Sequence, residues 1–365
     1  QEGMGDFYEG LIEESASERR AGAGLYFAPR PLIDSMVHGM RPTLKDVIQD
    51  PAAGTGGFLI AANRYIQKHD NPKKWTPIQR KKHETNTFYG MEHVQDTYRL
   101  ACMNLMLHGI GSATKSAVIQ YADTLSSDGV ELPQASLILT NPPFGSKRGG
   151  GFPTRKDLPF PTSNKQLCFL QHFYLGLKPG GRAAVVLPDN VLFESNVGRK
   201  VRVDLMDKCN LHTILRLPSG IFYAQGVKTN VLFFALGKKS QGNTKEVWVY
   251  DSRTNTPRFG RRTSLTREHF TDFEAAFGDD PLGSYTSLEK RTDTGETGRF
   301  GRFSRDWIAE RGDNLDISWL QDESDQDNGE LPEPAVLAQE AMGELEAAMA
   351  ELQGILQELD EEIEL

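Results

Sequence analysis

The sequence predicts an α/β fold, a seven-stranded, mostly parallel, doubly wound sheet followed by a C-terminal helical extension. Two patterns carry that expectation. Short apolar runs bounded by turn residues alternate with amphipathic stretches, the order that builds a parallel sheet with helices on both faces. Several of those runs end in an acid, an amide or a glycine-rich turn, and the carboxyl ends of parallel strands are where open α/β sheets gather ligand-binding groups.

Strands are expected near residues 46–50, 87–90, 117–121, 137–140, 183–187, 213–217 and 230–236, and helices over roughly 57–67, 94–107, 166–177 and 198–208. Too little chain joins the last two strands for a crossover helix, so one pair is expected to be antiparallel. Residues 145–165, rich in Gly, Pro, Lys and Arg, read as a long loop suited to cover a substrate. Residues 254–321 read as an irregular extension of the main domain, which spans 25–253. An acidic, Pro-containing linker at 322–334 leads into a helix at 335–365. There Ala341, Leu345, Ala348, Leu352, Ile355, Leu359 and Ile363 recur at alternating spacings of three and four, a seam that needs another helix to bury it.

Composition narrows the class. With 38% apolar and 25% charged residues in 365, the chain is expected to be globular. It has no run of about eighteen apolar residues and no signal peptide, so no membrane partner is expected. Cys102, Cys168 and Cys209 are far apart and form no CxxC pair; neither a metal site nor a disulfide framework is expected, and a cytoplasmic location fits. The net charge of −9 is unevenly spread: residues 322–365 hold fifteen Asp or Glu and no Lys or Arg, which leaves residues 1–321 at +6. Basic clusters at Lys147-Arg148, Arg155-Lys156 and Arg199-Lys200-Arg202 flank the candidate site and are read as phosphate contacts.

The chemistry is expected at Asn141-Pro142-Pro143-Phe144, which follows the apolar run Leu137-Ile138-Leu139-Thr140. The Asn side-chain carbonyl and the Pro142 backbone carbonyl are two acceptors that could converge on one exocyclic NH₂, with Phe144 stacked on the planar group that bears it. Taken alone, the same four residues are also a strand-terminating turn. Upstream, Asp50-Pro51-Ala52-Ala53-Gly54-Thr55-Gly56-Gly57-Phe58 reads as strand end, glycine turn and helix start. It lacks the Gly-Lys-Ser/Thr end of a P-loop and does not complete Gly-x-Gly-x-x-Gly. The next two strands are followed by Glu92, placed for a pair of ribose hydroxyls, and Asp123, placed for the exocyclic amine of a purine.

This ordered set resembles the methylation (M) subunit of type I restriction–modification enzymes, S-adenosylmethionine-dependent amino-methyltransferases of DNA. The carrying residues are Leu25-Tyr26-Phe27-Ala28-Pro29-Arg30, the glycine segment 50–58, Gly90-Met91-Glu92, Asn141-Pro142-Pro143-Phe144, Thr162-Ser163-Asn164-Lys165-Gln166, and Leu215-Arg216-Leu217-Pro218 leading into Gly226-Val227-Lys228-Thr229-Asn230. This chain has Ala28 where the family commonly has Thr, and Ala53 where it commonly has Cys. The resemblance implies the class I S-adenosylmethionine-dependent methyltransferase fold. It implies cofactor contacts from Leu25, Tyr26, Phe27, Ala28, Pro29 and Arg30 at the methionine end, from Asp50, Gly54, Thr55, Gly56, Gly57 and Phe58 at the turn, from Glu92 at the ribose and from Asp123 at the adenine.

It further implies methyl transfer to adenine N6 at Asn141, Pro142, Pro143 and Phe144. The substrate would be double-stranded DNA with the adenine flipped out, and Phe222 or Tyr223 is a candidate for the far side of that base. Partners implied are a specificity (S) subunit held through the C-terminal helix, a second M subunit and a restriction (R) subunit, with residues 1–24 the remnant of a preceding helical domain. Cytosine N4, a release-factor glutamine amide, and a non-catalytic DNA-binding scaffold stay open as alternatives at this point.

Overall fold

The computed structural model describes residues 28–111, 118–144, 153–222, 227–260 and 263–321, together with positions 342, 343, 345 and 349. Leu25, Tyr26, Phe27, Lys147, Arg148, Tyr223 and most of the C-terminal seam lie outside these.

The seven expected strands are all present as β1 (Ile48–Asp50), β2 (Phe88–Glu92), β3 (Ile119–Tyr121), β4 (Ala135–Thr140), β5 (Leu177–Pro188), β6 (Cys209–Arg216) and β7 (Thr229–Leu236), and two more join them, β8 (Glu246–Asp251) and β9 (Phe300–Ser304). They form one sheet in the order β3-β2-β1-β4-β5-β7-β6-β8-β9. The first five in that order are parallel; β7 runs antiparallel to both β5 and β6, which confirms the expected reversal. The two additional strands escaped the sequence reading for local reasons. Glu246–Asp251 is a six-residue run two residues past the Ser240-Gln241-Gly242-Asn243 segment, and Phe300–Ser304 is interrupted by Gly301 and Arg302 within a Gly- and Thr-rich stretch.

Both faces of the sheet are buried, so side chains along one strand alternate between two cores. On β5, Ala184 and Val186 point into one core and Ala183, Val185 and Leu187 into the other; on β7, Val231 and Phe233 oppose Leu232 and Phe234 in the same way. The first core is closed by α1 (Arg30–Met40), α2 (Gly57–His69) and α4 (Gln95–Leu107), with Phe273 and Phe277 of α8 (Thr271–Phe277). The second is closed by α5 (Lys165–Leu175) and α7 (Val197–Lys208).

Between α2 and β2 lies α3 (Pro77–Asn86), which opens on a capping box: Gln79 N–H donates to the Thr76 hydroxyl, and Thr76 N–H donates to the Gln79 side-chain oxygen. Neither α1 nor α3 was expected, although Thr76-Pro77-Ile78-Gln79 carries the sequence mark of that cap. Shorter helices are α6 (Asn190–Phe193), α9 (Tyr285–Leu288) and α10 (Arg305–Glu310). The chain from 254 to 321 thus returns a strand to the sheet edge and a helix to each core. No described helix is long and apolar enough to cross a membrane.

Candidate active site

Topology decides where the polar groups meet. From β1 the chain winds outward through β2 to β3, then returns to place β4 on the other side of β1. The crevice at such a reversal of winding is the ligand-binding position in open α/β sheets. The glycine turn after β1 and Asn141 after β4 therefore stand side by side, with Glu92 and Asp123 at the ends of the next strands outward.

The glycine turn is built for close approach. Gly54 and Gly56 have φ of 53° and 83°, the left-handed region where a Cβ is costly, and a side chain on Gly90 would lie 3.2 Å from both Asp50 O and Ala53 Cβ. Three contacts hold the turn. Gly54 N–H donates to Glu92 Oε2 (3.0 Å), Asn104 Nδ2 donates to Thr55 O (3.0 Å), and Thr124 Oγ1 donates to Pro51 O (2.5 Å). Asn104 was not singled out in the sequence, yet the signal was there: it lies on the buried stripe Thr97, Ala101, Asn104, Leu105 of α4, the one amide on that apolar face.

The two carboxylates on β1 and β2 are buried without a Lys or Arg partner among the described residues. Asp50 Oδ1 accepts from Ala52 N–H (3.2 Å) and Thr140 Oγ1 (2.7 Å), which ties the glycine turn to the residue just before Asn141. Burial pushes its carboxyl up to about 7. Glu92 is also raised by burial; its Oε1 accepts from Val94 N–H (2.7 Å), and exposed His93 is 3.6 Å away. The Glu92 carboxylate thus accepts backbone N–H groups of Gly54 and Val94, with the His93 backbone N–H also directed at it. Asp123 is exposed, and its Oδ1 takes Leu125 N–H (2.9 Å).

At the acceptor side, Asn141 is half-buried with its carboxamide oxygen enclosed, Pro142 is buried and Pro143 exposed. Phe144 is only 5% exposed, and its ring meets Phe222 edge-on, 5.4 Å between centroids at 90°. Phe222 is thus a wall against Phe144, not a plate facing it across a slot. Phe58 is 4% exposed and packs in the core beneath the turn. Ala28 is buried and Pro29 and Arg30 begin α1, whose Ile33 lies 3.2 Å from where a Cβ on Gly57 would project.

Two of the three basic clusters are turned inward in part. The Arg155 side chain is 4% exposed and paired with Asp157. Arg202 is 2% exposed and donates to the backbone carbonyls of Val191, Glu194 and Asp313. Neither is available to a phosphate in this structure, whereas Lys156 and Lys200 are exposed.

Comparison with known proteins agrees with this arrangement. The profile described as N-6 DNA Methylase matches residues 1–328, and that described as Type I restriction enzyme methylase subunit, C-terminal domain, matches 331–364. The chain belongs to the N-6 DNA methylase family. Its relatives include the type I restriction enzyme StySPI methylase subunit of Salmonella potsdam, 49% identical across 98% of this chain and 72% of the relative. The EcoKI methylase subunit of Escherichia coli K12 matches with the same figures. The crystal structure of the EcoKI M protein superposes with a TM-score of 0.76 at 46% identity, covering 93% of this N-6 DNA methylase and 74% of that chain. A second structure, from work on assembly of a type I R-M system, superposes at 0.73 with 27% identity, covering 99% and 70%.

Proposed function

We propose that this methylase transfers the methyl group of S-adenosylmethionine to N6 of adenine in DNA, as the modification subunit of a type I restriction–modification complex. The observation that carries the reading is the meeting, at one reversal of winding, of a close-approach glycine turn with Asn141, and of both with two buried carboxylates that have no Lys or Arg partner among the described residues. The donor set fits the cofactor. Glu92 offers a carboxylate to a pair of ribose hydroxyls, exposed Asp123 to the adenine amine, and the uncompensated charge of this pocket favours a cation. The cofactor, when bound, supplies an electrophilic methyl group on a sulfonium.

The chain's own residues act on the acceptor. Adenine N6 is a weak nucleophile because its lone pair is delocalised into the ring. The Asn141 side-chain carbonyl and the Pro142 backbone carbonyl accept its two N–H groups, which favours a pyramidal nitrogen, and both bonds strengthen as positive charge develops there. No strong base is needed at the outset, since the nitrogen becomes acidic once it has attacked. The flipped base enters beside Pro143, and its stacking on Phe144 requires the Phe144–Phe222 contact to open. Ala28, Pro29 and Arg30, with Leu25, Tyr26 and Phe27 before them, serve the methionine end.

The C-terminal helix serves a partner, the specificity subunit in this reading. Its seam residue Leu345 is 63% exposed, with Met342 and Met349 exposed beside it, and its acidic face suits a basic apolar helix better than DNA. A second M subunit and the restriction subunit complete the assembly.

The test is incubation of the chain with tritiated S-adenosylmethionine and unmethylated duplex DNA, with and without the co-expressed specificity subunit. Label is expected in N6-methyladenine only with the partner. Asn141→Ala should lower incorporation by a factor on the order of 100 to 1,000, as loss of one hydrogen bond made in the transition state does, while cofactor affinity stays near that of the parent. Label in cytosine or in protein, or full activity in the variant, would overturn the reading.

A further inference from the structure

Residues 64–82 hold seven Lys or Arg and one acid, a net charge of +6 that equals that of residues 1–321 together. Position sets this charge apart from the crevice. The helix α2 leaves the carboxyl end of β1 and runs for 13 residues, about 20 Å at the rise of an α-helix. Because β2 lies parallel to β1, the chain between them turns at the amino ends of the strands. Lys82 marks that end: its Nζ donates to Leu44 O and Asp46 O (2.7 Å each) and to Thr87 Oγ1 (3.4 Å), residues that lead into β1 and β2.

The corner itself is firmly built. Asn71 Oδ1 accepts from Lys73 N–H (3.0 Å) and starts the single turn Pro72–Lys74, and the capping box of Thr76 and Gln79 starts α3. Trp75, between them, is 8% exposed; its Nε1 donates to Asp70 O (3.1 Å) and its ring lies 4.7 Å from that of buried His83. His83 Nε2 meets Asn63 Oδ1 of α2 (2.7 Å), which fastens α3 to α2. The cations stand outside this frame. Lys68, Lys73, Lys74, Arg80 and Lys81 are exposed, and none has an ion pair among the described residues. The exposed acids of the segment 64–86 are Asp70 and Glu84.

We propose that this corner is a second, sequence-independent DNA contact, which grips the phosphate backbone of a stretch of duplex separate from the one that presents the target base. The inference rests on the reading of DNA as the substrate and on no residue assigned to catalysis. Composition decides between nucleic acid and protein as the partner. A stable protein interface is centred on apolar and aromatic side chains and is poor in lysine. Here Ile78, 82% exposed, is the one exposed large hydrophobic residue between 64 and 86, and Trp75 is turned inside. Phosphate contacts need no apolar centre, since lysines on a firm backbone bind by displacing counterions. A straight duplex lying on the crevice stands at the carboxyl ends of the strands and does not reach the corner.

The experiment uses the full chain with its co-purified subunits and two duplexes of about 25 base pairs, too short to bend back on themselves. The first, unlabelled, comes from a site that the parent methylates and is added to saturation; the second, fluorescent and without that site, is then titrated and followed by anisotropy. The parent is expected to bind the second duplex with an association constant that falls with salt at a log–log slope of about −4, as five phosphate contacts require. Lys73→Gln, Lys74→Gln, Arg80→Gln and Lys81→Gln combined should weaken that binding at least about tenfold and bring the slope to about −1; Lys73→Gln alone should reduce it by about 1. These side chains are exposed, so the melting temperature and methylation of the first duplex should stay at the parent's values.

If the parent binds no second duplex once the first is in place, or the combined variant binds it as the parent does, the proposal is overturned and the lysines are solvated surface. Equal loss of the first duplex in the variant would make the corner part of the contact with the target duplex, and loss of a co-purified subunit would make it a protein interface; either overturns the proposal. Failure of the parent to methylate any DNA overturns the functional reading and this inference with it, whereas normal methylation without a second bound duplex overturns this inference alone.

Discussion

Two parts of one sheet end at the same edge and treat buried charge in opposite ways. In the part formed by β5, β7, β6 and β8, the buried acids Asp189 and Asp251 each meet an arginine. Arg216 Nη1 donates to Asp251 Oδ2 (2.9 Å) with Asp316 3.7 Å from the same guanidinium. Arg253 grips Asp189 through both terminal nitrogens (2.8 and 3.0 Å), and Asn230 donates to the same carboxylate (2.6 Å). In the part formed by β3, β2, β1 and β4, Asp50 and Glu92 are buried with no Lys or Arg partner among the described residues, and only exposed His93 stands near Glu92. The difference separates support from site. An acid compensated within the fold has little left to offer a cation, and the proposed function gives the two acids without an arginine the task of holding one.

The largest effect is expected where a buried acid is paired with a buried arginine. Burial alone would raise Asp251, but hydrogen bonds from Thr254 and the charge of Arg216 outweigh it and hold the carboxyl below its ordinary value. Asp251→Ala strands the buried Arg216 guanidinium, which costs about 3 to 5 kcal/mol when one partner of a buried pair is removed. Denaturant unfolding should show that loss, and cofactor affinity at sub-denaturing conditions should stay within about twofold, since the pair supports the edge without touching the crevice. A large loss of affinity with little loss of stability would erase the distinction between the two parts.

Asp50 sharpens the comparison through pH. Its folded pKa of about 7 lies above the ordinary 3.8, so the native state binds the proton more tightly than the unfolded chain. The associated stability is fully present below about 3.8 and is lost as pH rises through about 7, at up to about 1.4 kcal/mol per pH unit in between. Asp50→Asn keeps an acceptor for Ala52 N–H and Thr140 Oγ1 and does not titrate.

The difference in stability between variant and parent should therefore grow in the variant's favour from pH 4 to 7. Taking the difference cancels His172 and His212, whose pKa values burial lowers to about 3. Those two act in the opposite sense, losing stability as pH falls below 6.5. Saturating S-adenosylmethionine should flatten the parent's slope, because a bound cation favours the ionised carboxyl. A slope indifferent to both substitution and cofactor would remove Asp50 from the cation-holding part.

The same contrast explains what could be read from the sequence. The seven strands and the four longer helices were legible because the central strands β4, β5, β6 and β7 are buried on both faces and read as long apolar runs, while the short β1, β2 and β3 are bounded by turn residues. The strand ends pointed to the candidate site: Asp50, Glu92, Asp123 and Asn141 each lie at or just past the end of a strand. Sequence reading faltered where direction mattered. Arg155 and Arg202 look, in a string of letters, like members of basic surface clusters, yet both turn inward to carbonyls, because proximity in sequence does not fix which side of the backbone a long side chain takes. Phe222 was legible as an aromatic near the site but not as the edge-on neighbour of Phe144.

The smallest effect is expected at Glu92, and its value lies in being confined to binding. Glu92→Gln removes the charge and replaces one of two acceptors with an NH₂ that must face either Gly54 N–H or Val94 N–H. Relief of a desolvated charge and loss of one backbone hydrogen bond oppose each other at about 1 kcal/mol each, so the melting temperature should shift by only a few degrees. Cofactor affinity has no such offset. A carboxylate accepts from two ribose hydroxyls and the amide from one, so S-adenosylmethionine binding should weaken about tenfold, or about 1.4 kcal/mol. Adenine alone, which has no ribose, should compete against the cofactor equally well in parent and variant. If adenine competition weakened as much as cofactor binding, Glu92 would be shaping the glycine turn through Gly54 and not meeting the ribose, and the carboxylates of this part would divide into one that binds and one that supports.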